Sequence, residues 1–172
     1  VGNGQGKGLH KITPVMTSDR IYVAANNGVV RAVDRSSGKA LWKNSLDTAL
    51  SGGVGRYENA IFLGSSEGDV LKLSADNGEQ QWATQLSGEV LAAPQSNGRV
   101  VVAQTYDGKL QGLDFNSGEV LWTYDSNLPV LTIRGTSTPI IDGNRVYAGF
   151  ANGRVLAFDV QSGSVAWEAR VT

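Results

Sequence analysis

The sequence contains no cysteine. That excludes disulfide staples and thiolate-held metals but leaves the compartment open, because cysteine-free chains occur in oxidising and reducing surroundings alike. Histidine occurs once, as His10 in a glycine-rich leader, where a lone imidazole reads as a surface residue rather than a metal ligand. No apolar run approaches the roughly 18 residues of a membrane-spanning helix, and helical periodicity of useful length is missing. Charge of one sign is lacking too. Fifteen basic and 16 acidic residues leave a formal net charge of -1, which supplies no electrostatic reason for nucleic acid or an anionic membrane as partner. The lysines and arginines are scattered among the acids, as on a solvated surface.

What is abundant is glycine, 22 residues among 41% hydrophobic ones, and it is periodic. Trp42, Trp82, Trp122 and Trp167 are spaced 40, 40 and 45 residues apart. Four residues before each stands a glycine: Gly38, Gly78, Gly118 and Gly163. Fourteen before stand Gly28, Gly68, Gly108 and Gly153, and eight before stand Asp34, Ser74, Asp114 and Asp159. Such self-similarity at a fixed period marks a repeat protein. We divide the chain into repeat units 1–46, 47–86, 87–126 and 127–172, all within one domain. A chain of 172 residues buries roughly 70% of its unfolded surface.

Each unit reads as four short strands. The runs "RIYVAA", "AIFLGS", "VVVAQT" and "RVYAGF" are β-branched and aromatic and apolar on both faces, as suits strands sandwiched between neighbouring sheets. They end at Asn27-Gly28, Glu67-Gly68, Asp107-Gly108 and Asn152-Gly153, where the expectation is a tight turn with positive φ at both central residues; Glu67 is the weak member. A second strand follows, then a turn such as "RSSG" or "FNSG", then the strand bearing the tryptophan. A short opening strand near Pro14, Val54, Pro94 or Pro139 completes the set. Four strands in about 40 residues, stacked radially, describe an all-β propeller blade; a β-solenoid is the competitor, disfavoured by the regular hairpin turns. The aspartates recur with the blades, so they are expected to bond turn backbone rather than form one reactive cluster.

The tryptophans are followed by Lys43, Ala83, Thr123 and Glu168, not by the aspartate of a WD-type blade, and only Gly52-Gly53 supplies the paired glycines of a kelch unit. The stretches "AVDRSSGKALW", "LDFNSGEVLW" and "FDVQSGSVAW" resemble the tryptophan-docking motif of pyrroloquinoline-quinone-type propellers. That resemblance implies an eight-bladed ring with each tryptophan wedged between blades, so four repeats amount to half of it. Within the superfamily, "LSGGV" (50–54) and "LPVLTIRGTSTP" (128–139) are similar to the BamB family, lipoproteins of the bacterial outer-membrane β-barrel assembly machinery. The chain opens "VGNGQGKGLHKITP" and reads as a mature or trimmed piece of something longer; the family's lipid anchor would need an N-terminal cysteine that these residues do not include.

One linker breaks the period. From tryptophan to the following proline position the first two linkers span twelve residues (42 to 54, 82 to 94) and the third spans seventeen (122 to 139). The extra residues fall within 125–137. The segment either tucks its aliphatic side chains under a neighbouring blade, with Arg134 paired to a carboxylate, or presents an apolar and arginine surface to a protein partner. The resemblance implies the second: the segment is where the barrel-forming subunit BamA docks through its periplasmic domains, with Leu131, Ile133 and Arg134 as the matching residues. It further implies a non-enzymatic scaffold at the periplasmic face of the outer membrane that assists β-barrel protein insertion.

Two other classes compete. A quinoprotein dehydrogenase would share the blade motif, but the vicinal cysteine pair of those enzymes is absent, and no nucleophile–base or paired-carboxylate constellation emerges from the spacing; neither a catalytic residue, a cofactor nor a metal is assigned. A generic strand-binding propeller would accept extended segments, such as unfolded outer-membrane β-barrel proteins, on an exposed sheet edge, although natural edges are usually protected. Finally, an open half-ring would expose apolar interblade faces, so self-association is expected.

Overall fold

The apolar runs of each repeat become the middle strands of a small antiparallel sheet in the computed structural model, which describes residues 11–127 and 137–171. After β1 (Lys11–Ile12), the first blade contains β2 (Val15–Met16), β3 (Arg20–Ala24), β4 (Val29–Asp34) and β5 (Ala40–Ser45). The second contains β6 (Leu50–Tyr57), β7 (Ala60–Ser65), β8 (Asp69–Ser74) and β9 (Gln80–Gln85). The third contains β10 (Gln95–Ser96), β11 (Val100–Gln104), β12 (Lys109–Asp114) and β13 (Val120–Asp125). The fourth contains β14 (Ile140–Asp142), β15 (Arg145–Gly149), β16 (Arg154–Asp159) and β17 (Val165–Arg170). Every regular element among the described residues is a strand, and in each blade the strands pair in sequence order. These are four antiparallel propeller blades, as the repeats predict.

One strand is unanticipated. β1 runs parallel to β6, with Lys11 opposite Gly52 and Ile12 opposite Gly53, and the pairing continues through Thr13, whose N–H donates to the Gly53 carbonyl. The second blade therefore carries a fifth strand on its inner edge. Covering an edge in this way satisfies backbone groups that would otherwise be open to another chain.

The hairpin turns differ from expectation in type. Gly28 N–H donates to the Ala25 carbonyl at 3.0 Å and Ala25 N–H to the Val29 carbonyl at 2.9 Å. Only the glycine, at φ +85°, is left-handed; Asn27, Glu67, Asp107 and Asn152 all have negative φ. The Asn-Gly pair thus fills the last two positions of an ordinary four-residue turn closed by a glycine bulge, not the centre of a two-residue turn. The same bond recurs from Gly68 to Ser65, Gly108 to Thr105 and Gly153 to Phe150. This removes the difficulty with Glu67, since no side-chain-bearing residue of the turn needs positive φ.

The core lies between blades rather than within them. Ile61 and Leu63 of β7 join Tyr22, Val30 and Leu73 in the first seam, while Ala60 and Phe62 of the same strand join Val70, Trp82 and Val101 in the second. Val100 and Val102 meet Val146, Leu156 and Phe158 in the third. Alternation of side chains across the pleat sends successive residues to opposite seams, which is why these strands read as continuous apolar runs. Each large side chain so buried contributes about 1.5–3 kcal/mol. β7 is buried at every position, whereas β17, the outer edge strand of the fourth blade, is exposed throughout.

Candidate functional site

Each seam is closed by a tryptophan from one blade reaching a turn of the next. The indole N–H of Trp42 donates to the Ala75 carbonyl at 2.9 Å, that of Trp82 to Phe115 at 3.0 Å and that of Trp122 to Val160 at 2.9 Å. The rings pack on Gly78, Gly118 and Gly163, where a Cβ would approach ring atoms to 2.5, 2.7 and 2.4 Å respectively. Trp82 and Trp122 are each 9% exposed, but Trp167 is 48% exposed. Gly38, the matching glycine of the first blade, has nothing within 4 Å of its would-be Cβ. Of the repeated residues, then, the structure brings three tryptophan–glycine pairs together and leaves Trp167 and Gly38 unmatched.

Two cations that the repeat pattern does not single out converge on the same carbonyls. Arg20 Nη1 reaches the Ala75 oxygen at 3.3 Å and Lys72 Nζ the Phe115 oxygen at 2.9 Å. Lys72 also lies 3.7 Å from the centre of the Phe115 ring, and burial pushes its ammonium below the usual lysine range, against the pull of Asp114. They stand at different places in their repeats, so only the fold shows their common role.

The corresponding turn of each blade is organised by the repeated aspartate, or by Ser74 in the second blade, where the Ser74 hydroxyl accepts from the Asp76 N–H. Asp34 Oδ1 accepts from the Ser36 and Ser37 N–H groups at 3.1 and 2.7 Å and from both hydroxyls at 2.7 Å. The hydroxyls of Ser36 and Ser37, with the backbone N–H groups, hold its pKa down at about 2. Asp114 and Asp159 repeat the arrangement on Ser117 and Ser162, whose backbone N–H groups lead in lowering both. These carboxylates organise backbone, as their periodicity predicts.

The long linker leaves β13 at one end of the third blade and re-enters before β14. Lys109 lies opposite Asp125, so the linker emerges on the face that carries the turns at Gly28, Gly68, Gly108 and Gly153. Both stems are pinned. Ser126 is buried and its hydroxyl donates to the Gly108 carbonyl, while the Asn127 N–H donates to Asp125 Oδ1 at 2.8 Å. On the other side Ser137 Oγ both donates to the Gly149 carbonyl and accepts from its N–H, at 3.0 Å each. Leu131, Ile133 and Arg134 lie outside the described residues.

Close to the stems, the Tyr124 ring packs edge-on against Phe158 at 4.9 Å between centres, and its hydroxyl accepts from Arg154 Nη2. The Arg154 guanidinium grips both Glu168 oxygens, which lowers the Glu168 carboxyl and raises the arginine. Burial works to raise Asp107, but hydrogen bonds from Thr105, Ser87 and Lys109 outweigh it and lower the carboxyl. A shallow recess bounded by Ser137, Gly149, Phe150, Ala151, Val155 and Val171 adjoins the re-entry stem. The surface near the two stems is thus aromatic and internally ion-paired. Among the described residues no three of histidine, cysteine, aspartate and glutamate are grouped to hold a metal.

The family described as outer membrane protein assembly factor BamB matches residues 26–172. The chain is 36% identical over 159 residues to the outer membrane protein assembly factor BamB of Nitrosomonas eutropha, covering 92% of this chain and 39% of that protein. BamB from Moraxella catarrhalis superposes with a TM-score of 0.84 at 29% identity, covering 93% of this chain and 48% of the other. A europium-containing methanol dehydrogenase superposes with a TM-score of 0.76 at 14% identity, covering 98% of this chain and 43% of the other, a likeness of fold alone. The chain spans less than half the length of the relatives it matches.

Proposed function

Because the chain belongs to the BamB family of outer membrane protein assembly factors, we propose that it is a non-enzymatic scaffold of the β-barrel assembly machinery. It works at the periplasmic face of the outer membrane and docks the periplasmic domains of the barrel subunit BamA through the linker 125–137. Leu131, Ile133 and Arg134 carry the contact, and the docked chain assists β-barrel protein insertion. Contact with unfolded barrel substrates is a secondary role.

The observation that carries this reading is the linker itself. It alone departs from the repeat length, it springs from the turn face, and both its stems, Ser126 and Ser137, are tied to blade backbone. Anchored stems and Pro129 reduce the entropy lost on docking, and an arginine among aliphatic residues has the composition of an interface anchor.

Calorimetry of the chain with BamA's periplasmic domains tests it, comparing wild type with Arg134→Glu after circular dichroism has shown both folded alike. The expected result is binding by the wild type and at least tenfold weaker binding by the variant. Equal binding by both sinks the assignment of Arg134. Failure of the wild type to bind, in a chain shown to be folded, sinks the linker as a sufficient docking site.

A further inference from the structure

The seam between the third and fourth blades ends differently from the other two. Val100, Val102 and Gln104 alternate along β11 and so share one face. The two valines pack on Val146 and Phe158 of the fourth blade. At the position of Gln104 the other blades carry Ala24, Gly64 and Gly149. In the first two seams the linker entering the next blade brings an apolar residue, Leu50 or Val90, and Val90 lies against Gly64. In the third seam the blade itself supplies the long side chain, and that side chain is polar.

Gln104 is 2% exposed, and its Nε2 donates across the seam to the Gly149 carbonyl at 3.1 Å. The same carbonyl accepts from the Ser137 hydroxyl, whose oxygen accepts the Gly149 N–H in return. This clasp stands where a ladder would be. In the second blade Gly52 and Gly64, the residues matching Ser137 and Gly149, are paired strand to strand. In the fourth blade pairing begins only at Ile140 with Tyr147, and side chains hold the stem before it. Gly149 leaves the hydroxyl room, since a Cβ there would stand 3.1 Å from Ser137 Oγ. Gln104 Oε1 is buried and has no hydrogen-bond partner among the described residues. An unpaired buried acceptor is destabilising, so packing alone does not account for a glutamine where Ala24 and Gly64 serve in the other seams.

We propose that Gln104 is a positioning residue for partner docking. By holding Gly149, and through it Ser137, it fixes where the linker enters the fourth blade. This rests on the reading that the linker docks BamA. Gln104 touches no partner; it restricts one stem, which lowers the ordering cost of docking. Because the glutamine brings its unpaired acceptor with it, removing both polar atoms together should leave stability unchanged while docking suffers.

Gln104→Met makes that change, keeping an unbranched side chain of similar bulk. Three quantities are measured: the urea midpoint, amide hydrogen exchange at Gly149, and calorimetric affinity for BamA's periplasmic domains beside Arg134→Glu. The expected result is an unchanged midpoint, exchange at Gly149 about tenfold faster, and binding about tenfold weaker. Ser137→Ala, at an exposed residue, should weaken binding similarly. Combining the two should add little, because both act through one carbonyl. Unchanged exchange at Gly149 overturns the clasp whatever the affinity. Wild-type affinity in Gln104→Met, with Arg134→Glu weakened, overturns the positioning role and leaves the docking reading standing. A lower midpoint with unchanged affinity makes the glutamine structural only, and also overturns it. A wild type that does not bind removes the docking reading, and the positioning role with it.

Discussion

The indole of Trp42 lies so close against Gly78 that a Cβ on the glycine would stand 2.5 Å from ring atom Cε3. Gly38 has nearly the same backbone, φ +69° against +76°, but empty space above it. Alanine at either position carries the left-handed strain of about 1–2 kcal/mol. Only Gly78→Ala adds the overpacking of a filled seam, about 1–3 kcal/mol more. Urea denaturation of the two variants should show that difference; equal losses would mean the glycine is required for its turn alone.

The carbonyl beneath each tryptophan is not equally provided for. Val160 receives the Trp122 N–H, whereas Phe115 receives both Trp82 and Lys72. Replacing Trp122 by Phe leaves a buried acceptor bare, at about 1–3 kcal/mol beyond the lost packing. Trp82→Phe keeps the lysine on its acceptor and should cost less. Comparison of the two denaturation midpoints decides the point, and a larger loss for Trp82→Phe would refute it.

Lys72 and Trp82 should therefore be coupled. Lys72→Met alone removes a buried charge together with its bond, and the stability change should stay within about 1 kcal/mol. The double variant with Trp82→Phe strips the Phe115 carbonyl of both donors. Its loss should exceed the sum of the single losses by about 0.5–3 kcal/mol in a double-mutant cycle; simple additivity would show that the two donors act independently.

Acid sensitivity should concentrate in the aspartate turns. The Asp34 carboxyl is lowered from 3.8 to about 2, chiefly by the Ser36 and Ser37 hydroxyls. A carboxyl depressed by folding stabilises the fold above its unfolded pKa, and that contribution fades as the pH falls from about 4 towards 2. Carboxyl-carbon NMR should give Asp34 a midpoint near 2, and Ser36→Ala should raise it. A midpoint near 3.8 in the wild type would remove the turn from the account of acid unfolding.

Much of this was legible in the chain. Tryptophan, glycine and aspartate at constant offsets mark blades and turns, and strands apolar at every position reveal sheets covered on both sides. The resemblance of 128–139 to the BamB family pointed to the family, and the family match agrees with that membership; the docking role it implies for the linker is the proposal made above. The turn type was misread because Asn-Gly occurs both at the centre of two-residue turns and at the end of four-residue ones, and dipeptide composition does not distinguish the two. The fifth strand was invisible because Lys11–Ile12 is too short to carry a periodic signal and pairs with residues some forty positions away.

The sequence by itself determined the blades, since each is built from local turns and a period-two pleat that neighbouring residues set. The tertiary structure decided which tryptophan is sealed and which is bare, and which cation shares a carbonyl. Those depend on the stacking of one blade on the next, where groups 33 to 38 residues apart come within hydrogen-bonding distance. A repeat shows what each blade can offer, and only the arc shows which offers are already taken.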